Sequence, residues 1–324
     1  MHRTISVCLV GMTAILAMAR PAIAQEYPTK PVKIIIPFAP GGGTDTMARV
    51  VANGLQKALG QSFVVENRAG ASGNIGMEAV AKSPNDGYTL LMVTNNIAIN
   101  PSLYGKVNYH PTKDFVPIGL VGSSPVAISV HSSLNITTLA DLVKYARANP
   151  GKLSYASCGA GTPQHLAAEL LAQTAKIEMA HVPYKGCAVA VPDHVSGLVP
   201  VSFSTVAVLS PHIKTGRLKG LAVTGSARSS FAPDLPTVSE AANLPGYNID
   251  VWFGLFAPAG TPRPIISKIN DVINKQLVTA EVKTKMSEQN YDALGGAPEV
   301  LSETVNRDIA RYENVIRTAN IKVD

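Results

Sequence analysis

The sequence has few cysteines and no cluster of cysteine and histidine. Its three cysteines are Cys8, Cys158 and Cys187 among 324 residues. None belongs to a Cys-x-x-Cys pair, and no His/Cys group has the spacing of a zinc site. These absences exclude zinc-ribbon and thioredoxin-like redox proteins, and we expect no metal and no cofactor.

Clusters of basic residues and aromatic side chains are also scarce. Phe, Trp and Tyr make up 6% of the chain, and the formal net charge is only +6. A nucleic-acid surface needs a basic patch, usually with aromatic residues on which bases stack. Nucleic-acid binding is therefore not expected, while the weak positive balance suits a small anionic ligand.

Long apolar runs are missing beyond the N-terminus. Residues 5–19 are apolar or weakly polar, follow Arg3, and precede a small-x-small site at Ala22–Ala24. This pattern predicts a signal peptide over 1–24, with the mature chain starting at Gln25 in the periplasm. The run is shorter than the ~20 residues of a membrane span, and Cys8 lies too early for a lipoprotein anchor.

The rest of the chain alternates strand-length apolar runs with helix-length amphipathic segments. Continuous apolar strands separated by helices favour an α/β fold with parallel sheet buried on both faces. We expect strands at 32–38, 62–66, 88–94, 126–130, 153–157, 179–184, 199–204, 218–224 and 252–258.

The end of the chain breaks this alternation, since helices follow over 262–290 and 298–319. We expect those helices to pack back onto the first half. The predicted division is lobe one at 25–124 plus 251–324 and lobe two at 125–250, joined by two hinge crossings with a ligand cleft between them. We expect a monomer.

Two glycine-rich turns join a strand to a helix, one in each predicted lobe. After strand 32–38 come Gly41–Gly43, and Thr44 or Asp45 can cap the helix that follows. After strand 153–157 come Gly159 and Gly161, with Thr162 as the predicted N-cap and Pro163 at the first helical position. Each helix start offers unpaired N–H groups and a partial positive charge, which together make an anion site.

Nucleotide and hydrolase sites fit these turns poorly. A phosphate-binding Walker loop needs Lys-Ser or Lys-Thr after its last glycine, and a dinucleotide fingerprint needs G-x-G-x-x-G, whereas 41–46 reads GGGTDT. A secreted serine hydrolase is the alternative function. Its G-x-S-x-G elbow is not matched by the nearest candidate, 70–73 (GASG).

Six segments carry a family resemblance that covers nearly the whole mature chain. They are 27–49 (YPTKPVKIIIPFAPGGGTDTMAR), 67–76 (NRAGASGNIG), 85–104, 155–171 (YASCGAGTPQHLAAELL), 218–241 and 252–262 (WFGLFAPAGTP). The chain resembles the Bug, or TctC-like, family of periplasmic receptors of tripartite tricarboxylate transporters. The resemblance implies a two-lobed type II periplasmic-binding-protein (Venus flytrap) fold and no enzymatic activity. It also implies a small carboxylate ligand, with membrane transporter subunits or a sensor kinase as partners.

The resemblance also implies which residues form the ligand site. Family receptors hold one ligand carboxylate between the two glycine-rich turns, while a further group at the end of a lobe-two strand reads the distal end of the ligand. The residues that match are Phe38, Pro40, Gly41, Gly42, Thr44, Asp45, Thr94, Asn95, Ser157, Gly159, Gly161, Thr162, Ser204 and Thr205.

The sequence departs from the family pattern at 186–200. Where the family usually has a second glycine there is Cys187, Pro192 falls inside the next helix, and Pro200 replaces an acidic residue. A proline inside a helix costs ~3 kcal/mol or more unless the helix is short or kinked there. Specificity for the distal group of the ligand is therefore the least transferable inference.

Single residues leave alternatives open. Asp45 can contact a ligand or cap its helix, and His165 can face the ligand or serve structure. We expect Trp252 and Phe253 to pack at the hinge. Cys158 and Cys187 follow neighbouring strands in an oxidising compartment, so they can form a disulfide, or they can remain two unpaired small side chains.

Overall fold

A computed structural model describes residues 27–318 and 320–322. The predicted signal peptide and its cleavage site lie outside these residues. The strands are β1 (Val32–Ile36), β2 (Phe63–Asn67), β3 (Thr89–Val93), β4 (Phe115–His131), β5 (Ser154–Ser157), β6 (Ala180–Pro183), β7 (Val201–Thr205), β8 (Leu218–Val223), β9 (Asp250–Pro258) and β10 (Asp292–Ala293).

Helices follow most of these strands. They are α1 (Gly43–Leu59), α2 (Asn74–Ala81), α3 (Asn96–Leu103), α4 (Leu139–Ala148), α5 (Pro163–Ala175), α6 (Cys187–Val195), α7 (Val206–Lys214), α8 (Val238–Ala242), α9 (Arg263–Leu277), α10 (Ala280–Glu288) and α11 (Pro298–Thr318). Each of the nine predicted strands is present, and the two late helical segments contain α9, α10 and α11.

Two sheets share the long strand β4. The first has the order β2-β1-β3-β9-β4, with β10 also paired to β4, and the second runs β4-β7-β5-β6, with β8 also paired to β4. Along β4 the pairing with β9 ends at Pro125↔Asp250, and the pairing with β7 begins at Val126↔Thr205. The change of partner therefore falls at 125/126, and the lobe division at 124/125 stays a prediction.

The expected parallel sheet is present only in part, because each sheet also contains antiparallel pairs. β1 pairs in parallel with β2 and β3, and β5 does so with β6 and β7, but β4 is antiparallel to β7, β8, β9 and β10. The reason is connectivity: β4 carries the chain from one sheet into the next, and β9 lies beside it as the returning strand, so the two run in opposite directions.

The central strands are buried on both faces, as their apolar sequences require. Consecutive residues, whose side chains lie on opposite faces, are buried in both sheets: Ile34, Ile35 and Ile36 in the first, and Val201, Ser202 and Phe203 in the second. Helices pack on the strands of both sheets, and α11 packs on β4 and α3. Five helices begin directly after the carboxyl end of a strand: α1, α3, α5, α6 and α7 follow β1, β3, β5, β6 and β7 in that order. These helix starts therefore lie between the two sheets.

Candidate ligand-binding cavity between the lobes

A cavity lies between the two sheets, bounded by residues of both. It is lined by Phe38, Ala39, Gly42, Gly43, Thr44, Thr94, Asn96, Cys158, Thr162, Gln164, Gly186, Cys187, Thr205, Val251 and Phe253. None of these lining residues carries a charged side chain.

Five helices begin at this cavity. The first residue or N-cap of α1, α3, α5, α6 and α7 belongs to its lining. No side chain caps α1, α6 or α7, so their first N–H groups are left for another acceptor. Since each helix start acts as about half a positive charge, the cavity attracts anions without using a lysine or an arginine.

In the lobe-one turn the cap of α1 is Gly42, not Thr44 or Asp45 as predicted. Asp45 lies three residues into the first turn, and its Oδ2 reaches back to accept the Gly41 N–H at 3.2 Å. Gly41 has φ +84°, which favours glycine. Gly42 is extended (φ −85°, ψ 175°), and a Cβ placed on it would meet no atom within 4 Å.

Asp45 is buried beside the cavity but does not line it. Its carboxylate accepts hydrogen bonds from Arg49 Nε at 2.9 Å and from Asn67 Nδ2 at 3.2 Å. Burial raises the pKa of Asp45, but the hydrogen bonds from Arg49, Gly41 and Asn67 outweigh burial and lower the pKa below its usual value. The charged carboxylate is thus neutralised inside lobe one, and its arrangement favours the structural alternative over ligand contact.

In the lobe-two turn Thr162 is the N-cap of α5 and Pro163 occupies the first helical position, as predicted. The Thr162 Oγ1 accepts the His165 N–H at 3.3 Å and donates to the Gly159 carbonyl at 2.7 Å. The Gly161 N–H donates to His165 Nδ1 at 3.1 Å. Pro40, Gly41, Gly159 and Gly161 therefore shape the two turns without lining the cavity themselves.

His165 serves this turn and not the cavity. It is 3% exposed and stacks on His181 with ring centroids 4.1 Å apart. Burial, and then the neighbouring His181, lower the pKa of His165 to about 3. The ring is therefore neutral, which leaves Nδ1 free to accept the Gly161 N–H. Ser157 is also buried and 2.7 Å from His181 Nε2, so its hydroxyl is used inside lobe two.

At the end of β3 the structure favours the neighbour of a predicted residue. Thr94 lines the cavity, but the Asn95 side chain points to the hinge, where it bonds the Trp252 N–H and Asp308. Asn96 lines the cavity instead and donates to the Gly161 carbonyl across the cleft at 3.0 Å. A shift of one residue at a helix start turns the side chain by roughly 100°, and that rotation explains the difference.

At the end of β7, Thr205 lines the cavity and Ser204 does not. The Ser204 Oγ lies 3.9 Å from Cys158 Sγ. Thr205 is 3% exposed, and its Oγ1 has no hydrogen-bond partner among the described residues. Since a buried unpaired hydroxyl is costly, Thr205 is placed to bond a molecule in the cavity.

Hydrogen bonds between the two lobes close the cleft. The Ala39 N–H donates to the Lys185 carbonyl at 3.3 Å, joining the lobe-one turn to the segment before α6. The Tyr104 hydroxyl lies 3.5 Å from the Ala160 carbonyl. With the Asn96–Gly161 bond, these contacts show the two lobes in a closed arrangement.

Cys158 and Cys187 form a disulfide with Cα atoms 4.2 Å apart, the pairing that the sequence allowed. Both line the cavity. Ala39 and Gly43 also line it and belong to the lobe-one turn predicted from the sequence. Sequence reasoning did not place five other lining residues in the site: Asn96, Gln164, Gly186, Val251 and Phe253. Gly186 had a readable signal, since it too is a glycine between a strand and a helix. The hinge residues Val251 and Phe253 had none, because only the crossing of β9 brings them there.

The model of the family described as the tripartite tricarboxylate transporter family receptor matches residues 47–321. The chain belongs to this family. Protein BugT of Bordetella pertussis is 35% identical over 326 residues, covering all of both chains. The predicted fold class and family are thereby confirmed.

Solved structures agree with this assignment. A Rhodopseudomonas palustris protein solved with adipate is 37% identical, covers 91% of this chain and 99% of its own, and superposes with a TM-score of 0.88. MatC from the same organism, solved with bound malate, is 32% identical, covers 90% and 100%, and has a TM-score of 0.85. Within the described residues no helix is long and apolar enough to cross a membrane.

Proposed function

We propose that this chain is a periplasmic receptor that captures a short aliphatic dicarboxylate between its lobes. The observation that carries the proposal is the convergence of five helix starts from both lobes on one cavity whose lining has no charged side chain. At about half a positive charge each, five helix starts amount to about two and a half charges, enough to offset two carboxylates. Adipate and malate, found with two related structures, are ligands of this class.

Ligand recognition uses neutral donors. In this proposal the free N–H groups at the starts of α1 and α6, and the side-chain amide of Gln164, donate to carboxylate oxygens, while Thr162 caps α5 and holds the lobe-two turn in shape. Hydrogen bonds to a charged acceptor are about twice as strong as neutral ones, and closure of the lobes excludes the water that would compete. The unpaired Thr205 hydroxyl bonds the distal part of the ligand.

Delivery to a membrane partner completes the proposal. The chain is exported, loses residues 1–24, and hands its ligand to the membrane subunits of a tripartite transporter. A sensor kinase is the alternative recipient. The receptor binds its ligand without converting it, and it acts as a monomer without cofactor, metal or nucleic acid.

A thermal-shift screen of the chain from Gln25 tests the ligand class. The panel contains mono-, di- and tricarboxylates, acidic amino acids and aromatic acids. We expect short dicarboxylates to raise the melting temperature most, because a ligand at 100 times its Kd stabilises the folded state by about 2.7 kcal/mol. A response to none of the carboxylates would refute the proposal, and ligand breakdown seen by NMR would contradict a receptor that performs no catalysis.

A further inference from the structure

The Cys158–Cys187 disulfide is part of the cavity wall. Cys158 is 6% exposed, Cys187 is half-buried, and both line the cavity. The only side-chain hydrogen bond to Cys187 Sγ within the described residues is a weak one, from Gln164 Nε2 at 3.7 Å. The sulfur atoms therefore present a largely apolar, polarizable surface to the cavity.

The same bond joins the starts of two helices that face the ligand site. Cys158 belongs to the turn before α5, and Cys187 is the first residue of α6. The segment before α6 also reaches lobe one, since the Lys185 carbonyl accepts the Ala39 N–H and Ala188 lies next to Gly41. The position of the α6 start thus affects both the cavity and the closed arrangement of the lobes.

Packing by itself holds α6 weakly at this end. Of its nine residues only Ala190 and His194 are buried. His194 fixes the far end of the helix through hydrogen bonds of 2.8 Å to Ser129 Oγ and to the Val199 carbonyl. Pro192 removes one helical hydrogen bond in between. The disulfide is the covalent anchor of the end that faces the cavity.

We propose that the Cys158–Cys187 disulfide is a positioning element of the ligand site. It holds the uncapped start of α6 beside the start of α5, so that both face the same bound anion, and its sulfur atoms pack against the carbon chain of the ligand. Reduction leaves the protein folded but weakens binding. The inference rests on the proposed function, because it concerns the same cavity.

Calorimetric titration with adipate and with malate tests the inference on the chain from Gln25, whose only cysteines are these two. Each titration is done on the oxidised protein and on protein reduced with dithiothreitol. The reagent reduces the protein disulfide to two thiols and is itself oxidised to a cyclic disulfide. The thiols are counted with a chromogenic reagent, and circular dichroism checks the fold. We expect roughly tenfold weaker binding after reduction, as one misplaced helix start would give, and full recovery after reoxidation.

The double variant C158S/C187S is the matched control. We expect it to bind like the reduced protein and to show no response to dithiothreitol. If the reduced chain unfolds, a folded C158A/C187A variant takes its place in the same titration. If the bond serves stability alone, its loss lowers the melting temperature of the ligand-free protein and leaves Kd unchanged.

The possible results separate the two proposals. Equal affinity of the oxidised and fully reduced folded protein would overturn the positioning role and leave the receptor function intact. If the oxidised protein shows no measurable binding of adipate, malate or any other carboxylate of the panel, the receptor function is refuted, and this inference is refuted with it.

Discussion

Filling the cavity from Gly42 is the sharpest perturbation that the structure offers. A side chain at this position would meet no protein atom within 4 Å of its Cβ, and the extended backbone there accepts any residue. Gly42 lines the cavity at the uncapped start of α1. The three carbon atoms that Gly42→Val adds therefore occupy space that a carboxylate needs to reach the free N–H groups there, so the variant should exclude the ligand.

The cost to the fold is small by comparison. Gly42 is the N-cap of α1, and an apolar residue is a poorer cap than glycine by about 1 kcal/mol or less. For a chain of this size such a loss lowers the melting temperature by roughly 2–4 °C. In the wild-type protein a ligand at 100 times its Kd should raise the melting temperature by roughly 5–10 °C.

Thermal shift and calorimetry with adipate and malate measure both effects. We expect Gly42→Val to fold and to show no ligand response, Gly42→Ala to bind at least ~10-fold more weakly, and Lys57→Ala, on the exposed last turn of the same helix, to behave like the wild type. Wild-type affinity in a folded Gly42→Val protein would refute the assignment of this cavity as the ligand site.

Three further predictions test the polar groups around the cavity and the hinge. Thr205→Val removes the buried hydroxyl that has no hydrogen-bond partner in the described chain. Ligand affinity should fall ~10-fold, while urea unfolding of the free protein should show unchanged or higher stability, because an unpaired buried hydroxyl costs about 1–3 kcal/mol. A loss of stability without a loss of affinity would contradict the proposed contact. Asp308 Oδ2 accepts hydrogen bonds from the Trp252 Nε1–H at 2.7 Å and from the Asn95 amide at 3.1 Å. Asp308→Ala removes this acceptor, so the free energy of unfolding should fall by about 3 kcal/mol, whereas the exposed control Asp271→Ala should change it by less than about 0.5 kcal/mol. Similar values for the two variants would argue against the hinge network. Burial lowers the pKa of His165 to about 3 and that of His194 to about 4. Both rings stay neutral in the folded protein but gain a proton below about pH 6.5 in the unfolded chain, so their contribution to stability should be full above that pH and the free energy of unfolding should decrease by up to about 4 kcal/mol between pH 7 and pH 5. Equal urea midpoints at the two pH values would show that these rings are not held neutral.

The sequence predicted those features of the fold that depend on residues adjacent in the chain. Thr162 caps α5 because a threonine followed by proline at the first helical position satisfies that turn by itself. The nine strands could be predicted because short, continuous apolar runs are typical of strands in a sheet that is buried on both faces. The lobe division at 25–124 plus 251–324 and 125–250 stays a proposal, supported by the point at which β4 changes partners.

Distant contacts decided the rest of the candidate site. Asp45 was available as a helix cap until Arg49 and Asn67, the latter from β2, took up its carboxylate. Asn95 matched the family pattern, but Asp308 and Trp252, both more than 150 positions away, hold it at the hinge. The Arg49 contact does follow from spacing, since Arg49 lies one helical turn after Asp45 in α1. The contacts of Asn67 with Asp45 and of Asp308 and Trp252 with Asn95 do not, because other elements supply those partners.

By itself the sequence determined the α/β class, the family resemblance and the two glycine-rich turns, since each depends on residues adjacent in the chain. Tertiary structure alone decided that five helix starts meet at one cavity, that Asn96 faces it where Asn95 does not, and that Cys158 and Cys187 are bonded in its wall. The physical reason is that an anion site built from helix starts has no charged residue to mark it. Its charge comes from backbone amides that every residue type except proline carries, and only the fold brings them together.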